Sequence, residues 1–295
     1  VTNSWQYYMI KLASRLVCVL PYPLLLWLGK LLGCLYYYLA PRQRDRALAQ
    51  IQESLGSSPR EAEEIVRELF LNLGQTFLEV MYMPTLSSAR MQQYVTIENR
   101  HYLDEALAAG KGVAVLAAHV GNWEWLGAAL ALFGFPVASI VKRQPNDQHT
   151  QILNEYRQMV GIEVFTRGTT ELVAAAKALK QGRVLGFFCD QDAGPGGIFI
   201  NFLGKMASTP VGLAVFARKF DIPVIPIFMV RRPQGGHRII VNRPLTFIKT
   251  DDSDADIYRF TAQATQVIEG VIRQYPQEWL WFQKRWNTKW AGEQA

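Results

Sequence analysis

The stretch "VAVLAAHVGNWEWLGAALALFG", residues 113–134, changes its hydrophobic rhythm partway along. Up to Ala118 it is a short unbroken apolar run, the form taken by a strand buried on both faces. From Asn122 onward it reads as an apolar helix. Asn122 is a good N-cap, and Gly121 relieves the turn before it. Strand, tight turn and helix in that order make one step of an α/β fold.

The same alternation continues downstream. Apolar runs at 136–142, 162–165, 184–189, 223–230 and 237–242 read as further buried strands. Helical stretches fall at 122–133, 146–160, 169–181, 210–220 and 254–275. The fold class is therefore α/β, with a largely parallel central sheet flanked by helices on both faces. Upstream, residues 42–84 read as two amphipathic helices joined around "GSSPREAEE", where Ser58, Pro59 and Glu61 make a capping-box start.

Two units are expected: an apolar N-terminal segment over 1–41 and a main domain over 42–295. Residues 5–40 are almost continuously apolar and aromatic, and Pro21 and Pro23 break any single helix there. A helix over residues 23–40 would reach roughly 27 Å, marginal against a hydrocarbon core of about 30 Å. Tyr36, Tyr37 and Tyr38 have the character of an interfacial aromatic belt, and Arg42, Arg44 and Arg46 follow as a cytoplasmic basic flank. These features favour attachment to the cytoplasmic (inner) membrane, either spanning it or lying in its interface. A buried pair of core helices is the alternative.

Composition bounds the rest. The chain has 295 residues, 49% of them apolar, which argues against disorder. A formal net charge of +6 suits an anionic partner without choosing among acidic lipid, acidic carrier protein and nucleic acid. Cys18, Cys34 and Cys189 are scattered and form no Cys-x-x-Cys pair, against a zinc ribbon or a disulfide framework.

Ligands of open parallel sheets bind beyond the carboxyl ends of the strands. The residues expected there are His119, Arg143, Asp190 and Asp192. His119 and Glu124 are five residues apart, which on one continuous helix would leave them about 140° from each other. They can meet if His119 ends the strand and Glu124 lies in the first turn of the helix. A neutral imidazole then takes a hydroxyl proton, while the carboxylate fixes its tautomer and steadies the imidazolium. A hydrogen-bonded structural histidine explains the isolated pair as well.

Gly-x-Ser-x-Gly and the zinc-binding histidine spacings are absent, so a substrate hydroxyl is the natural nucleophile and neither metal nor organic cofactor is called for. Thr209 and Pro210 read as the cap and first position of the 210–220 helix, whose N-terminus can hold a phosphate or an oxyanion. In the tail, Trp279, Trp281, Phe282, Trp286 and Trp290 are interleaved with Lys284, Arg285 and Lys289. Beside an apolar N-terminus, this mixture suits a membrane interface better than nucleic acid. His101, His149 and His237 read as surface or structural histidines.

Four blocks together resemble the late acyltransferases of lipid A biosynthesis, the lauroyl/myristoyl group of the lysophospholipid acyltransferase superfamily. They are "AAHVGNWEW", "IVKRQPN", "FCDQDAGPGGIFINFLGKMASTP" and "IPVIPIFMVR", and the likeness extends to the tail "YPQEWLWFQKRWN". The resemblance implies a glycerolipid acyltransferase-like fold and catalysis by His119 and Glu124. It further implies substrate binding by Arg143, Asn146, Asp190, Asp192 and Thr209. The implied donor is acyl–acyl carrier protein, and the acceptor a hydroxyl on an existing acyl chain of a lipid A precursor. Gln283 stands where many relatives carry histidine, so an essential tail histidine is not carried over. Mannoside acyltransferases share the broad pattern, which keeps another glycolipid acceptor with acyl-coenzyme A open. The non-enzymatic alternative is an inactive lipid-binding membrane protein.

Overall fold

The computed structural model describes residues 5–141, 147–166, 169–290 and 292. Helices come first: α1 (Trp5–Cys18), α2 (Tyr22–Leu39), α3 (Pro41–Leu55), α4 (Pro59–Tyr82) and α5 (Ser88–Tyr94). Strand β1 (Val95–Glu98) and α6 (His101–Ala108) lead into β2 (Val113–Ala117), α7 (Trp123–Leu132), β3 (Val137–Val141) and α8 (Asp147–Met159). There follow β4 (Glu163–Thr166), α9 (Thr169–Lys180), β5 (Val184–Phe188), β6 (Ile198–Phe202) and β7 (Lys205–Thr209). The chain continues through α10 (Gly212–Phe220), β8 (Val224–Arg231), β9 (His237–Val241) and α11 (Ser253–Gln274).

Seven strands form one sheet in the order β1-β9-β8-β2-β5-β3-β4. From β8 to β4 all neighbours are parallel; β9 runs antiparallel to β8, and β1 pairs parallel with β9. Strand β2 lies near the middle and all five of its residues are buried. Its alternate side chains enter different cores, as the pleat requires. Ala114 and Leu116 join Leu213 and Ala214 of α10 and Phe260 and Ile268 of α11. Val113, Val115 and Ala117 join Trp125 and Ala129 of α7 and Tyr156 of α8. Both faces are covered, which is why the strands read as apolar runs without polar alternation.

The N-terminal helices are joined where the prolines require a break. Helix α2 lies so close to α4 that glycine is needed at the contact: a Cβ on Gly33 would strike the Phe70 carbonyl, and one on Gly74 the Gly29 carbonyl. The Ser58 capping box forms as expected, with Ser58 and Glu61 each bonding the other's backbone N–H. Away from these contacts the helices carry apolar stripes at helical spacing. Helix α1 exposes Trp5, Tyr8, Met9, Leu12 and Leu16, and α2 exposes Leu24, Trp27, Leu31, Leu35, Tyr38 and Leu39. Among the described residues no single helix is long and apolar enough to cross a membrane, and α2 meets α3 at a 90° bend.

Two features depart from the sequence reading. The region after "DAGPGG" continues as an antiparallel hairpin, β6–β7, which is absent from the strands read in the sequence. Its turn uses Leu203 and Gly204, both at positive φ, and the Leu203 N–H is held by Glu269 Oε1 at 3.0 Å. The tail is also largely internal: Trp279, Trp281 and Arg285 are fully buried, which corrects their expected place at a membrane surface. Arg285 donates to the Ser208 carbonyl at 2.6 Å and to Thr209 Oγ1 at 2.7 Å, and its guanidinium lies over the Phe202 ring. Burial pulls its pKa down to about 10, against the neighbouring charges of Asp190 and Asp192.

Candidate active site

The register of two strands builds the site. Strands β2 and β5 are parallel neighbours with Ala117 opposite Phe188. Two residues beyond each partner stand His119 and Asp190, at the carboxyl edge of the sheet. Asp190 Oδ1 lies 2.9 Å from His119 Nδ1, and its Oδ2 accepts the His119 backbone N–H at 2.9 Å. Trp279 Nε1 donates to the same Oδ2 at 2.9 Å, and the Gln283 amide reaches Oδ2 and the Asp190 carbonyl at 3.3 and 3.2 Å.

Burial alone would raise the Asp190 pKa, but the charge and hydrogen bonds of His119, with Trp279, hold it down at about 2. For His119, burial works against the cation. The Asp190 charge and hydrogen bond oppose burial, Glu124 adds to them, and the pKa ends above the ordinary histidine value. An ionised Asp190 can only accept, so the imidazole proton sits on Nδ1 and the lone pair on Nε2. The His119 side chain keeps 16% exposure. Its Nε2 stands 3.4 Å from the Gln191 amide nitrogen. Trp123 and Phe188 flank the ring with centroids at 5.1 and 4.9 Å.

The turn after His119 is held mostly through its backbone. Val120 N–H bonds the Ala118 carbonyl at 2.8 Å, Gly121 N–H the Glu278 carbonyl at 2.9 Å, and Leu280 N–H the His119 carbonyl at 3.2 Å. Residues 278–280 therefore strap the turn to the tail. Gly121 has φ +60°, and a Cβ there would fall well inside contact distance of the Met229 carbonyl. Asn122 caps α7, its Oδ1 accepting Trp125 N–H at 3.0 Å.

Glu124 lies in the first turn of α7, as expected, but its pairing with His119 needs correction. Both of its oxygens are engaged by Arg157 of α8: Nε donates at 2.9 Å and Nη2 at 2.6 Å. The guanidinium fork matches a carboxylate in a bidentate way and so claims it. The tautomer is fixed instead by Asp190, which the sequence reading grouped with substrate binding. Glu124 contributes to His119 only through its charge.

The other expected site residues separate. Asp192 accepts from Thr288 Oγ1 at 2.8 Å and anchors the tail. Thr209 is the buried last residue of β7, and Val211 rather than Thr209 occupies the N-cap position of α10, so the expected cap is corrected. With the hairpin extended through residue 209, the Thr209 hydroxyl bonds Arg285 and the Ala207 carbonyl instead of a helix end. Arg143 and Asn146 lie outside the described residues. Sequence reasoning passed over Arg157, gave Gln191 no role of its own, and placed Trp279 at a membrane interface rather than behind Asp190. "EWLWF" offered a tryptophan signal for Trp279, whereas nothing local marked Arg157.

A strand-end histidine with a buried carboxylate behind Nδ1 keeps its lone pair on Nε2, an arrangement able to take a proton from a hydroxyl. The chain belongs to the bacterial lipid A biosynthesis acyltransferase family, whose model matches residues 1–288, and it is an acyltransferase. It is 25% identical to the lipid A biosynthesis palmitoleoyltransferase of Escherichia coli (strain K12), over 94% of this chain and 89% of that protein. It is likewise 25% identical to the lipid A biosynthesis lauroyltransferase of the same organism, over 93% and 89%. A phosphatidylinositol mannoside acyltransferase of Mycolicibacterium smegmatis is 23% identical, over 83% and 79%.

Proposed function

We propose that the protein transfers a fatty acyl group from acyl–acyl carrier protein to a hydroxyl of a lipid A precursor, the 3-hydroxyl of an acyl chain already in place. The observation that carries the mechanism is the bond from His119 Nδ1 to the buried, ionised Asp190, which leaves Nε2 as a base. Nε2 takes the hydroxyl proton as the oxygen attacks the thioester carbonyl. The tetrahedral intermediate collapses, the carbon–sulfur bond breaks, and the imidazolium returns its proton to the leaving thiolate. The products are the new ester and the free carrier thiol. Neither a covalent acyl-enzyme nor a cofactor is needed.

Glu124 stabilises the imidazolium from a distance, held by Arg157. Glu124→Gln removes that charge and is expected to lower kcat about tenfold, a barrier change of about 1.4 kcal/mol. A rate equal to that of the unaltered enzyme would remove Glu124 from the mechanism.

The apolar stripes of α1 and α2 support a place at the cytoplasmic face of the inner membrane, with the stripes in the interface and the catalytic sheet in the cytoplasm. The positive net charge suits both an acidic carrier and a phosphorylated glycolipid.

The test is one assay with two donors, acyl–acyl carrier protein and acyl-coenzyme A. Its two acceptors are a lipid A precursor and a phosphatidylinositol mannoside, with products read by mass spectrometry. Acylation of the lipid A precursor from the carrier-bound donor is expected. Transfer only to the mannoside, or only from coenzyme A, would overturn the assignment in favour of the second glycolipid reading. Lipid binding without transfer from either donor would favour an inactive binding protein.

A further inference from the structure

A second buried carboxylate lies behind the catalytic turn. Glu79 of α4 has no exposed side-chain surface, and its donors come from four separate elements. Tyr22 Oη, from the first residue of α2, donates to Oε1 at 2.7 Å. Asn122 Nδ2, from the catalytic turn, donates to Oε2 at 2.9 Å. Arg231, at the end of β8, places Nη1 and Nη2 at 2.9 Å from Oε1 and Oε2, and His237 Nε2, opening β9, lies 2.9 Å from Oε1. The Glu79 carbonyl accepts Trp125 Nε1 at 2.8 Å.

Packing alone does not require this arrangement. A buried ion pair is often no more stabilising than well-packed apolar residues of similar volume. What Glu79 adds is geometry. Asn122 follows His119 by three residues and divides its amide: Oδ1 caps α7 and Nδ2 is held by Glu79. The other holds on the turn are the bonds of His119 to Asp190, the Val120–Ala118 backbone bond and the backbone bonds to the tail. Tyr22 is aimed just as firmly, its ring stacked on Tyr94 at 4.1 Å and on Trp125 at 5.9 Å. Tyr22 begins the helix whose outer face is the apolar stripe.

We propose that Glu79 is the positioning residue of the catalytic turn, and that Tyr22 ties the apolar-striped helix α2 into the same scaffold. The side chain of Asn122 transmits the position of α4 to the turn, and Tyr22 makes that position depend on how α2 is seated. The proposal rests on the acyl-transfer reading for its kinetic consequence but not for its structural one.

Tyr22→Phe removes one hydroxyl and keeps the stacked ring, so it should fold; Glu79→Gln removes the charge opposite Arg231 and tests the hub directly. For Tyr22→Phe, kcat on the lipid A precursor is expected to fall about tenfold with KM little changed, because small displacements of a reacting group cost rate rather than binding. Combined with Asn122→Ser, the loss should not exceed that of Asn122→Ser alone, since both act through Glu79. By NMR, the His119 imidazole of Tyr22→Phe should titrate at lower pH than in the unaltered protein, as its contact with Asp190 loosens. A folded Tyr22→Phe variant with unchanged kcat and unchanged His119 titration would overturn the proposal, as would losses that multiply in the double variant. If Glu79→Gln does not fold, Tyr22→Phe decides alone. If the unaltered enzyme acylates nothing, the reaction assignment falls, while the imidazole titration still judges the role of Glu79.

Discussion

His119→Ala is expected to lower kcat about 10,000-fold, the upper range for losing a positioned general base, while the protein stays folded. Folding should survive because the imidazole is half-buried at the end of a strand. Asp190 keeps donors from the residue-119 backbone, Trp279 and Gln283 after the ring is gone. The measurement is initial rate against acyl–acyl carrier protein with a lipid A precursor, beside circular dichroism and a melting curve. Retention of more than about a tenth of the rate would remove His119 from the chemistry, since a tenfold effect corresponds to only about 1.4 kcal/mol.

Asp190→Asn is expected to cost about 1,000-fold in kcat with little change in KM, by reversing the imidazole tautomer. The direction of the asparagine amide is forced. Two N–H groups, the His119 backbone and Trp279 Nε1, converge on the Oδ2 position, so the amide oxygen must sit there. The NH2 group then occupies the Oδ1 position and donates to Nδ1. The imidazole proton moves to Nε2, and the base no longer faces the substrate. The pH profile should change as well. In the unaltered enzyme His119 must be neutral to act, so its raised pKa makes the rate fall as the medium becomes acidic through that value. Without the Asp190 charge, burial of the imidazole dominates, and the acid limb of the residual activity should move to lower pH. An unshifted limb, or a rate near that of the unaltered enzyme, would show that Asp190 does not control the base.

Much of the fold was legible because its strands are buried on both faces. "VAVLAA", "VLGFFC" and "PVIPIFMV" read as uninterrupted apolar runs, and their observed bounds differ by a residue or so. Ser58 with Glu61, and Asn122 before α7, were legible because capping is chemistry between near neighbours. The β6–β7 hairpin was not. Its Leu203–Gly204 turn lacks the asparagine or aspartate that usually marks such a turn, and it is held partly by Glu269, a long way off in the chain. The tail misled because alternating tryptophan and basic residues look alike at a membrane and in a core. Arg285 is buried where the Ser208 carbonyl and the Thr209 hydroxyl receive two of its donors.

The division at the site follows the range of the interactions involved. The amino-acid sequence by itself determined that a histidine ends an apolar strand, that the chain turns at Gly121, and that Glu124 enters the next helix. All of these rest on contacts within a few residues. Which carboxylate meets the histidine was decided by tertiary structure. Strand β5 pairs beside β2 although β3 and β4 intervene in the chain, and the register Ala117–Phe188 then sets Asp190 against His119. Arg157 arrives from α8 and occupies Glu124. Glu79 joins Tyr22 to Asn122 across more than forty residues on either side. A charge pair depends on distance in space, and no local pattern of apolar and polar residues records which strands become neighbours.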